Sequence, residues 1–138
     1  MFKLSEDGLN IELKWTSPVL DVHHGGSVLI DGYIYGSNWI NNGTGNWCCL
    51  DWNTGETKYE KTWKCKGSVI SADSMLYCYE ERTGYIALVK PTPEDFALVS
   101  SFKIPAGTGP HWAHPVINDG ILYVRHGNSL MAYNIRKN

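Results

Sequence analysis

The chain is short of charge, of cysteine and of long apolar runs, and each shortage removes a class of function. Charged residues are 19% of the 138 positions and leave a formal net charge of -2. That balance offers no basic footprint for nucleic acid or for an anionic membrane surface. No window is apolar over the roughly 20 residues that a helical membrane span needs. The opening residues, MFKLSEDGLN, also lack the apolar core of a signal peptide. The compartment is therefore unassigned, and an extracytoplasmic location fits only a chain that belongs to a longer precursor. Cys48, Cys49, Cys65 and Cys78 form no CxxC pair and have no histidine at zinc-finger spacing, so they read as free thiols serving as small hydrophobes. Gly25, Gly26, Gly43 and Gly45 are followed by no helix, which excludes a phosphate-binding loop. Helical periodicity is missing as well: apolar residues alternate or run in short blocks, with Gly and Pro between them.

What remains is strand and turn chemistry, with 43% hydrophobic and 12% aromatic residues to build a core. Val28–Ile30, the hairpin dipeptide Asp31-Gly32 and Tyr33–Tyr35 read as one hairpin. After a polar loop, Trp47–Leu50 gives a third strand, Asn53-Thr54-Gly55 turns the chain, and Thr57–Lys61 gives a fourth. The same unit recurs. Placing Asp31 on Asp73 is a shift of 42 residues, and placing Asp73 on Asp119 is a shift of 46. In that register Val28, Ile70 and Val116 coincide, as do Ile34, Leu76 and Leu122. Third strands follow at Tyr85–Val89 and Ser129–Tyr133, and Phe96–Ile104 supplies a long outer strand. Short strands recurring at this period are the signature of propeller blades.

The expected fold is therefore all-β: four-stranded antiparallel β-propeller blades, with WD40-like architecture, in an incomplete propeller of about three blades. Residues 1–16 match the outer half of a preceding blade, 17–63 and 64–104 are blades, and 105–138 is a blade lacking its outer strand. Propellers have at least about four blades. Either the chain is part of a longer propeller, or copies self-associate through exposed blade faces, Ile11–Trp15 of one beside Met131–Ile135 of another.

The segments VLIDGYIYGS, CLDWNTGE and PVINDGILYVRHGNSLMAYNI resemble the pyrroloquinoline-quinone-like β-propeller repeat family, over essentially the whole chain. The likeness looks closest to quinoprotein-like propeller proteins common in bacteria. It implies a non-enzymatic binding or scaffolding propeller segment, or alternatively part of a pyrroloquinoline-quinone-dependent dehydrogenase. Family enzymes hold quinone and calcium through acidic and amide ligands with a catalytic Asp. No such set is assigned here, so no catalytic residue is named, and quinone with calcium enters only under the alternative. Cys48-Cys49 invites comparison with an adjacent-cysteine disulfide of some family dehydrogenases, but neighbours in a strand point to opposite faces and read as inert thiols.

Four of the five histidines lie in DVHHGG and GPHWAHPV. The register puts His23 on His111 and His24 on Trp112, just before innermost strands, whose leading loops rim a propeller's channel. One reading is a ligand pocket lined by His23, His24, His111, Trp112 and His114, with Trp39 of the Gly36–Asn46 loop stacking on a flat ligand. The other is that these imidazoles bond backbone groups at blade junctions. Under the first reading the pocket could bind a metal or take up a proton near neutral pH; no paired carboxylate sits beside the histidines, and no metal ligand is assigned. Trp15 and Trp63, near the ends of outer strands, read as wedges between blades.

Overall fold

A computed structural model describes residues 1–136. Among the described residues there are thirteen β-strands and no helix, hence none long and apolar enough to cross a membrane. The strands β1 (Phe2–Leu4) and β2 (Ile11–Leu13) form a hairpin. The first sheet runs β3 (Ser27–Ile30), β4 (Tyr33–Ser37), β5 (Trp47–Asp51), β6 (Thr57–Lys61). The second runs β7 (Gly67–Ala72), β8 (Met75–Glu80), β9 (Tyr85–Lys90), β10 (Ala97–Lys103). The third has β11 (Val116–Asn118), β12 (Ile121–His126) and β13 (Ser129–Asn134), described up to Arg136; positions 137 and 138 of the expected last segment lie outside the described residues. All pairing is between sequence neighbours and antiparallel.

Turn chemistry fixes the register. Asp31 and Gly32 have φ of 49° and 81°, and Asp119 and Gly120 have 47° and 68°, the two positive values that a tight hairpin of right-handed twist needs. Asp73 and Ser74 do the same at 51° and 59° without a glycine. The outer strand expected over Phe96–Ile104 is Ala97–Lys103 and carries a bulge: Leu98 pairs with Val89 and Ser100 with Leu88, which leaves Val99 over. Pro91 and Pro93 fall outside the ladder, in the β9–β10 turn.

The sheets stack in chain order. Tyr35, Trp47, Cys49 and Tyr59 of the first meet Val69, Leu76, Cys78, Ala87 and Val89 of the second in one buried cluster. On the other side of the second sheet, Tyr79 and Ile86 meet Leu122 and Val124 of the third. Two tryptophans join successive units as wedges. Trp15 sits against the β5–β6 turn and donates from Nε1 to the Trp52 carbonyl at 3.0 Å. Trp63 packs on Phe96, at the β9–β10 turn, with ring centroids 5.8 Å apart. All four cysteines are buried free thiols, and burial pushes Cys48 up to about 12 and Cys49 to about 11, which keeps both protonated and unreactive at neutral pH.

Candidate functional site

The loops β2–β3, β4–β5, β6–β7 and β10–β11 and the β8–β9 turn all emerge at one end of the sheets, because each innermost strand starts where its partner ends: Ser27 pairs with Gly36, and Gly67 with Glu80. Close approach at that end is enforced by glycine. A Cβ on Gly25 would collide with the Gly67 carbonyl, so only the smallest residue lets the chain entering the first sheet meet the second there; within the second sheet, a Cβ on Gly67 would strike the Tyr79 carbonyl. Ser37 fills the junction, its hydroxyl donating to the Gly67 carbonyl at 2.8 Å and accepting from the Gly67 amide at 3.1 Å.

On this platform a charged cluster forms. Lys66 Nζ lies 2.7 Å from Glu81 Oε1, with side chains only 2% and 7% exposed. The ammonium also donates to the carbonyl of Asn41 at 2.9 Å. A buried charge requires such partners, since the desolvation of either ion alone costs several kcal/mol. On the other carboxylate oxygen, Glu81 Oε2 stands 2.8 Å from His24 Nε2. These two atoms are in contact without the alignment of a hydrogen bond, and both are shielded from solvent with no other partner. His23 adjoins His24 with ring centroids 4.7 Å apart and carries on to Trp39 at 6.4 Å. Trp112 meets His24 edge-on at 5.8 Å, and His114 Nε2 donates to the His24 carbonyl at 2.7 Å.

The structure thus brings together His23, His24, Trp39, Trp112 and His114, from loops of all three sheets. His23 and His114 are exposed and His24 is half-buried. His111 does not join them. Its backbone amide donates to the Glu81 carbonyl at 3.3 Å, but its ring lies buried against Tyr79, whose hydroxyl is 2.7 Å from Nδ1, and stacks on His126 at 3.7 Å. His111 thus stands apart from the other five residues: its imidazole lies between the second and third sheets. Its pKa is pulled below the ordinary histidine value, chiefly by burial and next by neighbouring His126. His126 faces two carbonyls, Ala106 at 2.9 Å from Nδ1 and Gly109 at 2.6 Å from Nε2.

A single carboxylate distant in sequence, Glu81, joins the histidines. Sequence reasoning missed Glu81 and Lys66 although the repeat register held a pointer: the 42- and 46-residue shifts place His24, Lys66 and Trp112 at one position, and all three converge here. Glu80, by contrast, is structural. Its carboxylate closes the β8–β9 turn by accepting from the amides of Arg82 and Thr83 and from the Thr83 hydroxyl.

Chemically, the cluster offers two imidazoles and one carboxylate oxygen as electron-pair donors, a fixed ammonium behind them, and two partly exposed indoles in front. Calcium takes six to eight oxygen ligands. Nitrogen donors, with the single carboxylate already paired to an ammonium, do not suit it, and so the calcium-held quinone of the resembled dehydrogenases does not fit these residues. Comparison with protein-family models and with curated proteins returns no match.

Proposed function

We propose that the chain is an arc of a quinoprotein-like β-propeller that works as a non-enzymatic binding or scaffolding module, with the loop cluster around His24 as its ligand-contacting end. The observation that carries this reading is the convergence of His24, Lys66 and Trp112, repeat-equivalent residues of three successive sheets, around Glu81. Equivalent loop residues meet in this way where repeated sheets radiate about a central channel, and such channel mouths are where propellers hold ligands. Trp39 and Trp112, 38% and 57% exposed, present apolar faces beside donors and acceptors, the mixed lining of a small-molecule site.

Self-association belongs to the same reading. The β13 edge has no partner strand among the described residues, and Leu130 on it is 70% exposed, while Phe2, Leu4, Ile11 and Leu13 leave the β1–β2 hairpin apolar and uncovered.

Indole fluorescence tests the binding site. A ligand that quenches the folded chain, and loses that quenching in Trp39→Ala and Trp112→Ala, supports it; ligands that quench both variants as they do the parent place binding elsewhere. Adding pyrroloquinoline quinone with calcium tests the dehydrogenase reading in the same cuvette, and dye-linked alcohol oxidation there would displace the non-enzymatic proposal.

A further inference from the structure

We infer that His23, His24 and Glu81 form a site for a divalent transition-metal ion of the zinc class, with its remaining coordination positions open toward Trp39 and Trp112. The inference concerns the same loop cluster and rests on reading that cluster as a binding site.

The first support is geometric. One ligand atom from each of the three residues lies within 4.8 Å of the others. An ion with bonds of about 2.0–2.2 Å holds its ligands no more than about 4.4 Å apart and right-angled neighbours about 3 Å apart. The 2.8 Å between His24 Nε2 and Glu81 Oε2 is close to that right-angled spacing. Ligands of a tetrahedral ion with such bonds stand about 3.3–3.6 Å apart, so His23 has at most about 1.5 Å to close, within reach of a rotamer adjustment at an exposed side chain.

The second support is independent of distance. Glu81 is 8% exposed, yet its Oε2 has no hydrogen-bond partner, and neither ring nitrogen of His24 has one. A buried carboxylate oxygen without a donor is costly, and buried polar atoms in folded proteins are satisfied almost without exception. Nε2 of His24 and Oε2 of Glu81 touch, yet the ring nitrogen is not aimed along the line between them, so both atoms are free to converge on one cation beside that line.

The surroundings also suit an ion. Lys66 holds Oε1 at 2.7 Å and so turns Oε2 toward His24, the orienting role that outer-shell residues play at metal sites. His114 ties down the His24 backbone through its carbonyl. Because Lys66 already balances the Glu81 charge, the carboxylate is a weaker donor than a free one, which places affinity below that of a closed structural zinc site. Imidazole and carboxylate together select zinc and its first-row neighbours over magnesium and calcium. Three protein ligands with open positions leave room for water or for a donor atom of a ligand held between the indoles.

The test uses the full chain stripped with chelator and then titrated with zinc by calorimetry, with metal content measured after dialysis. One zinc per chain is expected. His23→Ala should weaken binding about tenfold, and His24→Ala or Glu81→Gln about 100-fold, the larger losses falling on the two ligands already in contact. Glu81→Gln leaves Lys66 buried opposite a neutral group and risks misfolding, so His23→Ala, at an exposed position, carries the test alone if needed. Cobalt substitution adds a visible spectrum that should vanish in the same variants. Zinc affinity unchanged in His23→Ala and His24→Ala, or no zinc bound at about 1 mM, overturns the site. If zinc fails while chelator-treated protein still shows ligand quenching dependent on Trp39 and Trp112, the metal inference falls and the binding reading stands; loss of both removes both.

Discussion

His23 and His111 occupy the same place in the first and third repeats, and the structure puts them to opposite uses. His23 is exposed beside His24, Trp39 and a carboxylate whose outer oxygen is unpartnered. His111 is buried, held by Tyr79 and stacked on His126, whose own nitrogens both face carbonyls. The difference arises one residue on. After His23 comes His24, directed at the Lys66–Glu81 pair, whereas after His111 comes exposed Trp112. One repeat position thus serves as a joint where its ring is buried and partnered, and as part of a candidate site where it is exposed beside the unpartnered atoms of His24 and Glu81. Unsatisfied buried donors and acceptors, rather than residue type, separate the two.

The strongest way to break the first cluster is to remove its counter-ion. Lys66→Met leaves Glu81 charged and buried without its ammonium, and should cost about 3–5 kcal/mol. Replacing both partners, as Lys66→Met with Glu81→Leu, should recover most of that loss, because an apolar pair carries no desolvation penalty. Urea denaturation measures both variants. A loss under about 1 kcal/mol for Lys66→Met would mean that the pair is solvated and that the contrast between the two regions is drawn too sharply.

The second region should break through packing instead. Gly84 has a φ of +76°, and a Cβ there would drive into the His111 ring, with Nδ1 and Nε2 both at 2.9 Å. Gly84→Ala therefore adds overpacking to left-handed strain and should cost about 1–3 kcal/mol. Gly26, beside the first cluster, has a similar φ of +66° but would meet only His114 Cε1 at 3.3 Å, so Gly26→Ala should cost less, about 1 kcal/mol. Equal losses in thermal melts of the two variants would show that the joint at His111 is no tighter than the open cluster.

Sequence made the strands and turns legible because their causes are local. An Asp-Gly pair selects a positive-φ turn, and period-two apolar residues then set which face is buried, as at Leu122 and Val124. The site was legible only in part. His23, His24, Trp39, Trp112 and His114 stood out by residue type, but the direction of the His111 ring did not, since consecutive loop residues follow no period. Glu81 sits beside Glu80 in a turn sequence that reads as ordinary, and Lys66 reads as a surface lysine until the repeat register is applied to the second copy. Its burial depends on Asn41 and Glu81, which only the stacked sheets bring within reach. The Val99 bulge left no mark, because nothing in FALVSSF distinguishes the extra residue.

The smallest effect expected is in the acid response of the His111 joint. Burial and then His126 hold the folded His111 pKa below the ordinary value near 6.5, against an upward pull from Glu80 and with a further small downward push from Lys103. Below about pH 6.5 the unfolded chain takes up a proton at this position before the folded chain does, so stability from this group is fully present above that value and is lost as pH falls toward the folded pKa. The carboxylates Asp7, Glu12, Asp51 and Glu60 are lowered too, mainly by hydrogen bonds, but their stabilisation is lost only below the ordinary carboxylate range, which separates the two windows. Melting temperature followed from pH 8 to pH 5 should therefore decline in the parent chain, and decline less in His111→Gln, which keeps an acceptor for the Tyr79 hydroxyl but cannot titrate. Parallel slopes in the parent and His111→Gln would assign the acid response to other groups.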